Sequence, residues 1–174
     1  MGEDKALLPF GNFDTLTEFQ LSRLSKLFSN VYISCKDKNK FNFEANFLED
    51  DSNIDTFAPT AGFISAFKHL KEESFFAISV DSPFINLAVI KKLIAEDKET
   101  QDAIVAKTQN GVQPLCGIYH RSLERSFQDM QTNGNHRLGQ LLKSSHTQYI
   151  HFDDEQIFLN LNNPEDYKEA LSLL

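Results

Sequence analysis

Three features of this 174-residue chain predict an α/β fold. Segments with apolar residues at helical spacing alternate with short strand-like runs. One of those runs, Ser74-Phe75-Phe76-Ala77-Ile78-Ser79-Val80, is nearly continuous in apolar residues, as in strands buried on both faces of a parallel sheet. The dipeptide Asn110-Gly111, set between two further apolar runs, marks an antiparallel hairpin. A mainly parallel sheet with one antiparallel hairpin and helices on both faces is therefore expected, in a single domain covering residues 1–174.

In chain order, the first helix is expected over 15–28. Leu16, Phe19, Leu21, Leu24, Leu27 and Phe28 fall on one face, and Asp14 or Thr15 is available as cap. A strand is predicted over 31–35, a charged turn over 36–40, and a short strand at 46–48 before the acidic segment Glu49-Asp50-Asp51-Ser52-Asn53. The second helix covers 59–70, with Phe63, Ile64, Phe67 and Leu70 on one side. After the strand at 74–80 come a helix over 85–94, hairpin strands at 103–107 and 115–119, and helices over 121–130 and 137–143. A strand at 148–150, a turn at Asp153-Asp154, a strand over 157–161 and a helix over 164–173 complete the pattern.

Composition narrows the function classes. Hydrophobic residues make up 41% of the chain, with 16 Phe and no Trp, so the composition is globular. A net charge of −8 argues against a general nucleic-acid binder, and a phosphorylated substrate would need local cations or a metal. No apolar run is long enough to span a bilayer, and no basic-then-apolar start marks a signal peptide. Cys35 and Cys116 make no disulfide framework, so a cytoplasmic setting is expected, with both thiols as buried small hydrophobes. The five histidines, His69, His120, His136, His146 and His151, show no metal-ligand spacing.

Asp81 is the most informative residue. It follows the apolar run, and the carboxyl ends of strands are where open α/β sheets bind ligands. Mg²⁺ binds through one or two carboxylates plus substrate phosphates. The competing reading is local: Ser82 as cap and Pro83 as first residue would merely start the next helix.

Five segments, taken in order, carry a resemblance. They are Met1-Gly2-Glu3-Asp4-Lys5-Ala6-Leu7-Leu8, Ala58-Pro59-Thr60-Ala61-Gly62, Val80-Asp81-Ser82-Pro83-Phe84, Gln113-Pro114-Leu115-Cys116-Gly117-Ile118-Tyr119, and Phe158-Leu159-Asn160-Leu161-Asn162-Asn163-Pro164-Glu165-Asp166. They resemble, respectively, the M-G-x-D-K-x-L-L, G-P-L-x-G, D-x-P-[FY], [QH]-P-x-x-x-x-[YV] and F-x-N-[IV]-N-T-P-E-[DE] patterns of the molybdenum cofactor guanylyltransferases. No single pattern is decisive, but the ordered set spans nearly the whole chain.

The resemblance implies a Rossmann-like nucleotidyltransferase fold and transfer of GMP from GTP to molybdenum-bound molybdopterin, with release of pyrophosphate. It implies Mg²⁺ on Asp81 and Lys5 on the nucleotide phosphates, these two being the catalytic residues. Asp50 joins them in binding nucleotide. Gly62, Arg137, Asn160 and Asn162 are implied for the second substrate, the two asparagines lying two positions apart at the end of a predicted strand. Gly62 also suits helix packing, Asn162-Asn163-Pro164 also suits a turn and cap, and Arg121 reads as structural. The implied partners are GTP, Mo-molybdopterin, and molybdopterin-carrying or target molybdoenzyme proteins. Neither nucleic acid nor membrane is a partner, and the chain is expected to be a monomer.

Two alternatives stand beside this: a CTP-dependent or sugar-phosphate nucleotidyltransferase, and a non-catalytic cofactor-binding module. The family pattern opens with a strand and a glycine-rich turn that Met1 onward does not contain. Residues 1–174 are accordingly expected to be a shortened form of a longer protein, to lack a central strand, and alone to fold poorly or show no activity.

Overall fold

Two sheets organise the protein, whose computed structural model describes residues 4–50 and 59–174. The strands are β1 Tyr32–Cys35, β2 Asn46–Glu49, β3 Ser74–Ile78, β4 Ala103–Thr108, β5 Gly111–His120 and β6 Thr147–His151. The helices are α1 Leu16–Leu24, α2 Pro59–His69, α3 Leu87–Glu96, α4 Glu124–Thr132, α5 Leu138–Ser144 and α6 Pro164–Ser172. β1 and β2 form a parallel pair. The second sheet has the order β3-β5-β4-β6. β5 runs antiparallel to both β3 and β4, while β6 is parallel to β4, so three of these four strands share one direction.

Helices cover both faces of the larger sheet, as α/β layering requires. On one face, Val89, Ile90 and Leu93 of α3 pack with Ile104, Ala106, Cys116 and Ile118. On the other, Phe63 and Phe67 of α2, Phe127 of α4 and Leu141 and Leu142 of α5 pack with Val105 and Tyr119. The Phe63 and Phe127 rings stack with centroids 4.6 Å apart, and Tyr119 meets Phe63 edge-on at 4.6 Å. A third cluster joins Phe10, Leu16, Leu161 and Ala170, tying the first residues to α1 and α6.

Local chemistry sets the element ends. Thr15 caps α1 by accepting from the Glu18 amide. Asn163 and Asp166 form a capping box at the start of α6, with Pro164 at its first position. At the hairpin Gly111 adopts φ +132°, a conformation that favours glycine.

Four expectations are corrected. The segment 157–161 is not a strand: residues Gln156–Phe158 form a 3-10 turn, followed by irregular chain to Asn163. Each short apolar side chain there finds its own pocket, Phe158 beside α3 and Leu161 beside Phe10, so no ladder is needed to bury them. Ser82 does not cap the helix after β3. Asn86 does, accepting from the Ala88 and Val89 amides. The helix therefore starts at Leu87, and Pro83 lies in the loop before it.

β3 is not buried on both faces. All five of its residues are half-buried, because β5 pairs with only one of its edges. The fourth correction concerns Asn160 and Asn162, which share no strand face because their segment is not extended in a sheet. Other predicted elements stand within a few residues of expectation. Met1 to Glu3, Asp51 to Asn53 and Ala58, which carry parts of the motifs above, lie outside the described residues.

Candidate active site

Lys5 and Asp81 come together from opposite ends of the site. Lys5 opens a 3-10 turn, Lys5–Leu7, anchored by the Asp4 side chain, which accepts from Ala6 N. That turn is pinned to α1, since Thr17 Oγ1 donates to the Ala6 carbonyl at 2.7 Å and Leu16 N donates to the Leu8 carbonyl at 2.7 Å. The lysine Nζ lies 3.7 Å from Asp81 Oδ2, with the two side chains 28% and 24% exposed. The other carboxylate oxygen, Oδ1, accepts from Ser79 Oγ at 2.5 Å. Asp81 is thus a partly open carboxylate with a cation beside it, at the carboxyl end of β3.

The loop that carries Asp81 is clamped by α1. Gln20, 5% exposed, points its Nε2 at the carbonyls of Ser79, Val80 and Ser82, at 3.3, 3.3 and 3.1 Å. One turn further on, the Arg23 guanidinium donates to the carbonyls of Pro83 and Ile85. Burial lowers the pKa of Arg23, whose head is held among carbonyls away from water. From the other side Leu161 N donates to the Asp81 carbonyl at 2.9 Å, and Ser82 Oγ donates to Asn160 Oδ1. The carbonyls of Ser79, Val80, Asp81, Ser82, Pro83 and Ile85, which the loop would otherwise strand, are each given a donor in this way.

Sequence reasoning missed this clamp. Its signal was present: Leu16, Gln20 and Leu24 are spaced four apart and all buried, so Gln20 is a polar residue on an apolar stripe.

The remaining predicted residues divide. Asn160 joins the site through Ser82. Asn162 lies two residues on, and its amide donates to Asp166 Oδ2 at 2.8 Å and to the Asn160 carbonyl at 3.0 Å. Asn163, not Asn162, supplies the cap of α6, which leaves the Asn162 side chain out of the capping role.

Asp50 follows β2 and extends its pairing by donating its amide to the Cys35 carbonyl. Desolvation raises its pKa most, opposed by the Lys36 charge and by the Ser65 and Ser34 hydroxyls. Gly62 presses α2 against β1: a Cβ there would meet Ser34 Oγ at 2.6 Å. Its packing role is visible in that approach. Arg137 is exposed at the start of α5, and no bond joins it to Lys5 or Asp81. Its neighbour His136 meets Thr60, at the start of α2, with Nδ1 2.6 Å from Oγ1.

Arg121 is structural, its guanidinium donating to the Phe67, Leu70 and Glu72 carbonyls at the end of α2. Cys116 is fully buried and its thiol is pushed up to about 12 by desolvation, which removes it as a nucleophile.

Among the described residues no three His, Cys, Asp or Glu side chains cluster to hold a metal. A lone carboxylate fits a Mg²⁺ ion whose other ligands are water and substrate phosphates. Also among the described residues, no helix is long and apolar enough to cross a membrane.

Residues 1–149 match the profile of the MobA-like NTP transferase domain. The chain is 34% identical over 174 residues to the molybdenum cofactor guanylyltransferase of Campylobacter jejuni strain RM1221, covering 100% of this chain and 90% of that protein. It is 34% identical over 171 residues to the molybdenum cofactor guanylyltransferase of Helicobacter pylori strain G27, covering 98% and 83%. The crystal structure of molybdopterin-guanine dinucleotide biosynthesis protein A from Archaeoglobus fulgidus superposes with a TM-score of 0.83 at 24% identity, covering 99% of this chain and 91% of that one. With the profile matched over most of its length and these relatives covered nearly end to end, the chain belongs to the MobA-like NTP transferase domain family.

Proposed function

We propose that this protein is a nucleotidyltransferase of molybdenum cofactor biosynthesis, transferring GMP from GTP to molybdenum-bound molybdopterin. The named relatives, both molybdenum cofactor guanylyltransferases, support the reaction. The observation that carries it at residue level is the ion pair of Lys5 and Asp81 at the carboxyl end of β3.

A terminal phosphate oxygen of molybdopterin attacks the α-phosphorus of GTP. A phosphoanhydride bond forms there, and the bond to the β-phosphate breaks, its electron pair leaving on pyrophosphate. Both reactants are anions, so the protein's task is positioning and charge neutralisation. Asp81, with phosphate oxygens, would hold Mg²⁺, which supplies Lewis acidity and charge neutralisation when bound. Lys5 brings a mobile ammonium to the charge developing on pyrophosphate. Gln20, Arg23 and Leu161 fix the backbone on which Asp81 rides. Asn160, held by Ser82, together with Asn162, Gly62 and Arg137, is assigned to the second substrate, and Asp50 to the nucleotide. No protein nucleophile takes part. We assign the reaction to the cytoplasm.

Calorimetric titration of the protein from its native cells with GTP and CTP, each with and without Mg²⁺, tests this. GTP should bind more tightly than CTP, and much more tightly with the metal. Equal affinity for both nucleotides would remove the guanylyl assignment, and indifference to Mg²⁺ would remove the role of Asp81.

A further inference from the structure

Asp81 rides on a turn that neighbouring elements hold from several sides. Ser82 N closes the turn by donating to the Ser79 carbonyl at 3.3 Å. Ser79 begins it, one residue past β3. Its amide donates to the Leu115 carbonyl of β5 at 3.1 Å, and its carbonyl also accepts from Gln20 Nε2 of α1 at 3.3 Å. Leu161 N donates to the Asp81 carbonyl at 2.9 Å. The backbone of both residues is pinned, so the Ser79 hydroxyl reaches out from a fixed point.

That hydroxyl makes the two oxygens of Asp81 unequal. An ionised carboxylate can only accept, so Ser79 Oγ donates to Oδ1 and spends its one proton there. The separation of 2.5 Å falls in the range of charge-assisted O–H···O⁻ bonds. Oδ2 is placed differently. Lys5 Nζ approaches it at 3.7 Å, outside hydrogen-bonding range. One oxygen is bonded within the fold, and the other is left to ionic partners. A serine that serves only a turn accepts from the backbone two residues on. Here the hydroxyl goes instead to the side chain two residues on.

The inequality bears on the choice of cation. Among the described residues no three His, Cys, Asp or Glu side chains gather, so a divalent ion at this place would lean on one carboxylate. Ca²⁺ takes carboxylates through one oxygen or two in flexible geometry, whereas Mg²⁺ is smaller and demands a stricter arrangement. Ligation through two oxygens would have to turn Oδ1 away from the Ser79 hydroxyl and lose a charge-assisted bond.

We propose that Ser79 is a positioning residue for nucleotidyl transfer: it holds Oδ1 so that Asp81 offers a divalent cation one oxygen, which selects Mg²⁺ over the larger Ca²⁺. This rests on the reading above, in which Asp81 holds the metal.

Calorimetric titration with Mg²⁺ and with Ca²⁺ tests it apart from turnover. The protein comes from its native host and is saturated with a GTP analogue whose α–β bridging oxygen is replaced by methylene. The wild type is compared with Ser79→Ala, Ser79→Cys, Ser79→Thr and Asp81→Asn. Ser79→Ala should shift the ratio of Mg²⁺ to Ca²⁺ affinity toward Ca²⁺ by roughly tenfold, the worth of one hydrogen bond to a charged group. Ser79→Cys, close in size but a weak donor, should shift it the same way and serves where Ser79→Ala does not fold. Ser79→Thr keeps the hydroxyl and should keep the wild-type ratio. An unchanged ratio in folded Ser79→Ala or Ser79→Cys would overturn the proposal and leave Asp81 its metal. Equal cation affinities of wild type and Asp81→Asn would remove the metal reading itself, and the proposal with it. Loss of the wild-type ratio in Ser79→Thr, or failure of both Ser79→Ala and Ser79→Cys to fold, would make Ser79 a packing residue and overturn the proposal as well.

Discussion

β3 and β4 are alike in apolar content and unlike in cover. β4 lies between β5 and β6, and Ala103, Ile104, Val105 and Ala106 are each 0% exposed. Among the described residues β3 has one partner, and none of its residues is fully buried. The difference teaches that burial belongs to a strand's neighbours: a run such as Ser74-Phe75-Phe76-Ala77-Ile78 announces what it needs, not what it has. The same contrast separates the four-stranded sheet, packed on both faces, from the β1–β2 pair, whose inner edge meets a cleft between the two sheets.

Truncation should expose that contrast most strongly. Ile104→Ala, in the covered strand, is expected to cost about 2–5 kcal/mol. Ile78→Ala, in the half-covered one, is expected to cost roughly 1–2 kcal/mol, because less apolar area is lost from contact. Urea denaturation of both variants checks it. Equal costs would break the comparison.

Two glycines give a smaller version. A Cβ on Gly117 would meet Val105 Cγ1 at 2.5 Å and the Ile104 carbonyl oxygen at 2.6 Å, so β4 backbone would have to move. Gly117→Ala is expected to destabilise by about 1–3 kcal/mol. On Gly62 the obstacle is the Ser34 side chain, which can rotate toward the cleft, so Gly62→Ala should cost less than about 1 kcal/mol. Thermal unfolding of the pair decides it, and the reverse ranking would mean that α2 and β1 are packed as tightly as β4 and β5.

The smallest effect is at Asp50, beside the cleft. Desolvation by burial raises its pKa in the folded protein above the usual 3.8. A raised folded pKa means that its contribution favours folding below the unfolded value and is lost as pH rises through the folded value. At pH 7 the charged form is a burden. Asp50→Asn is therefore expected to raise the melting temperature slightly at pH 7, with the gain vanishing toward pH 4, while weakening nucleotide binding. A gain that grows on acidification would contradict the desolvated-carboxylate account.

Much of this was legible in the sequence. The elements around 15–28, 59–70 and 103–119 follow from spacing, caps and Asn110-Gly111, all of them local signals. The position of Asp81 after an apolar strand was legible, with a local cap beside it as the competing reading; the structure puts Lys5 next to it and gives the cap to Asn86. Gln20 and Arg23 were not found, because their partners are carbonyls about sixty residues away and a carbonyl has no letter. The strand predicted over 157–161 failed for a related reason: Phe158 and Leu161 are buried one at a time, in separate clusters, and alternation cannot tell that from a sheet.

The central claim is that Asp81, with Lys5 beside it, carries nucleotidyl transfer. Its most direct test is pyrophosphate release from GTP in the presence of Mo-molybdopterin and Mg²⁺, by the wild type, Asp81→Asn and Lys5→Ala, each expressed in the native host. Circular dichroism and melting temperature should confirm that all three fold alike. The wild type should release one pyrophosphate per dinucleotide formed. Lys5→Ala should be slower by about one to two decades, the loss of ~1.5–3 kcal/mol of charge-assisted hydrogen bonding. Asp81→Asn should release none above background. Undiminished release by a folded Asp81→Asn protein would contradict the account and move the phosphate site elsewhere.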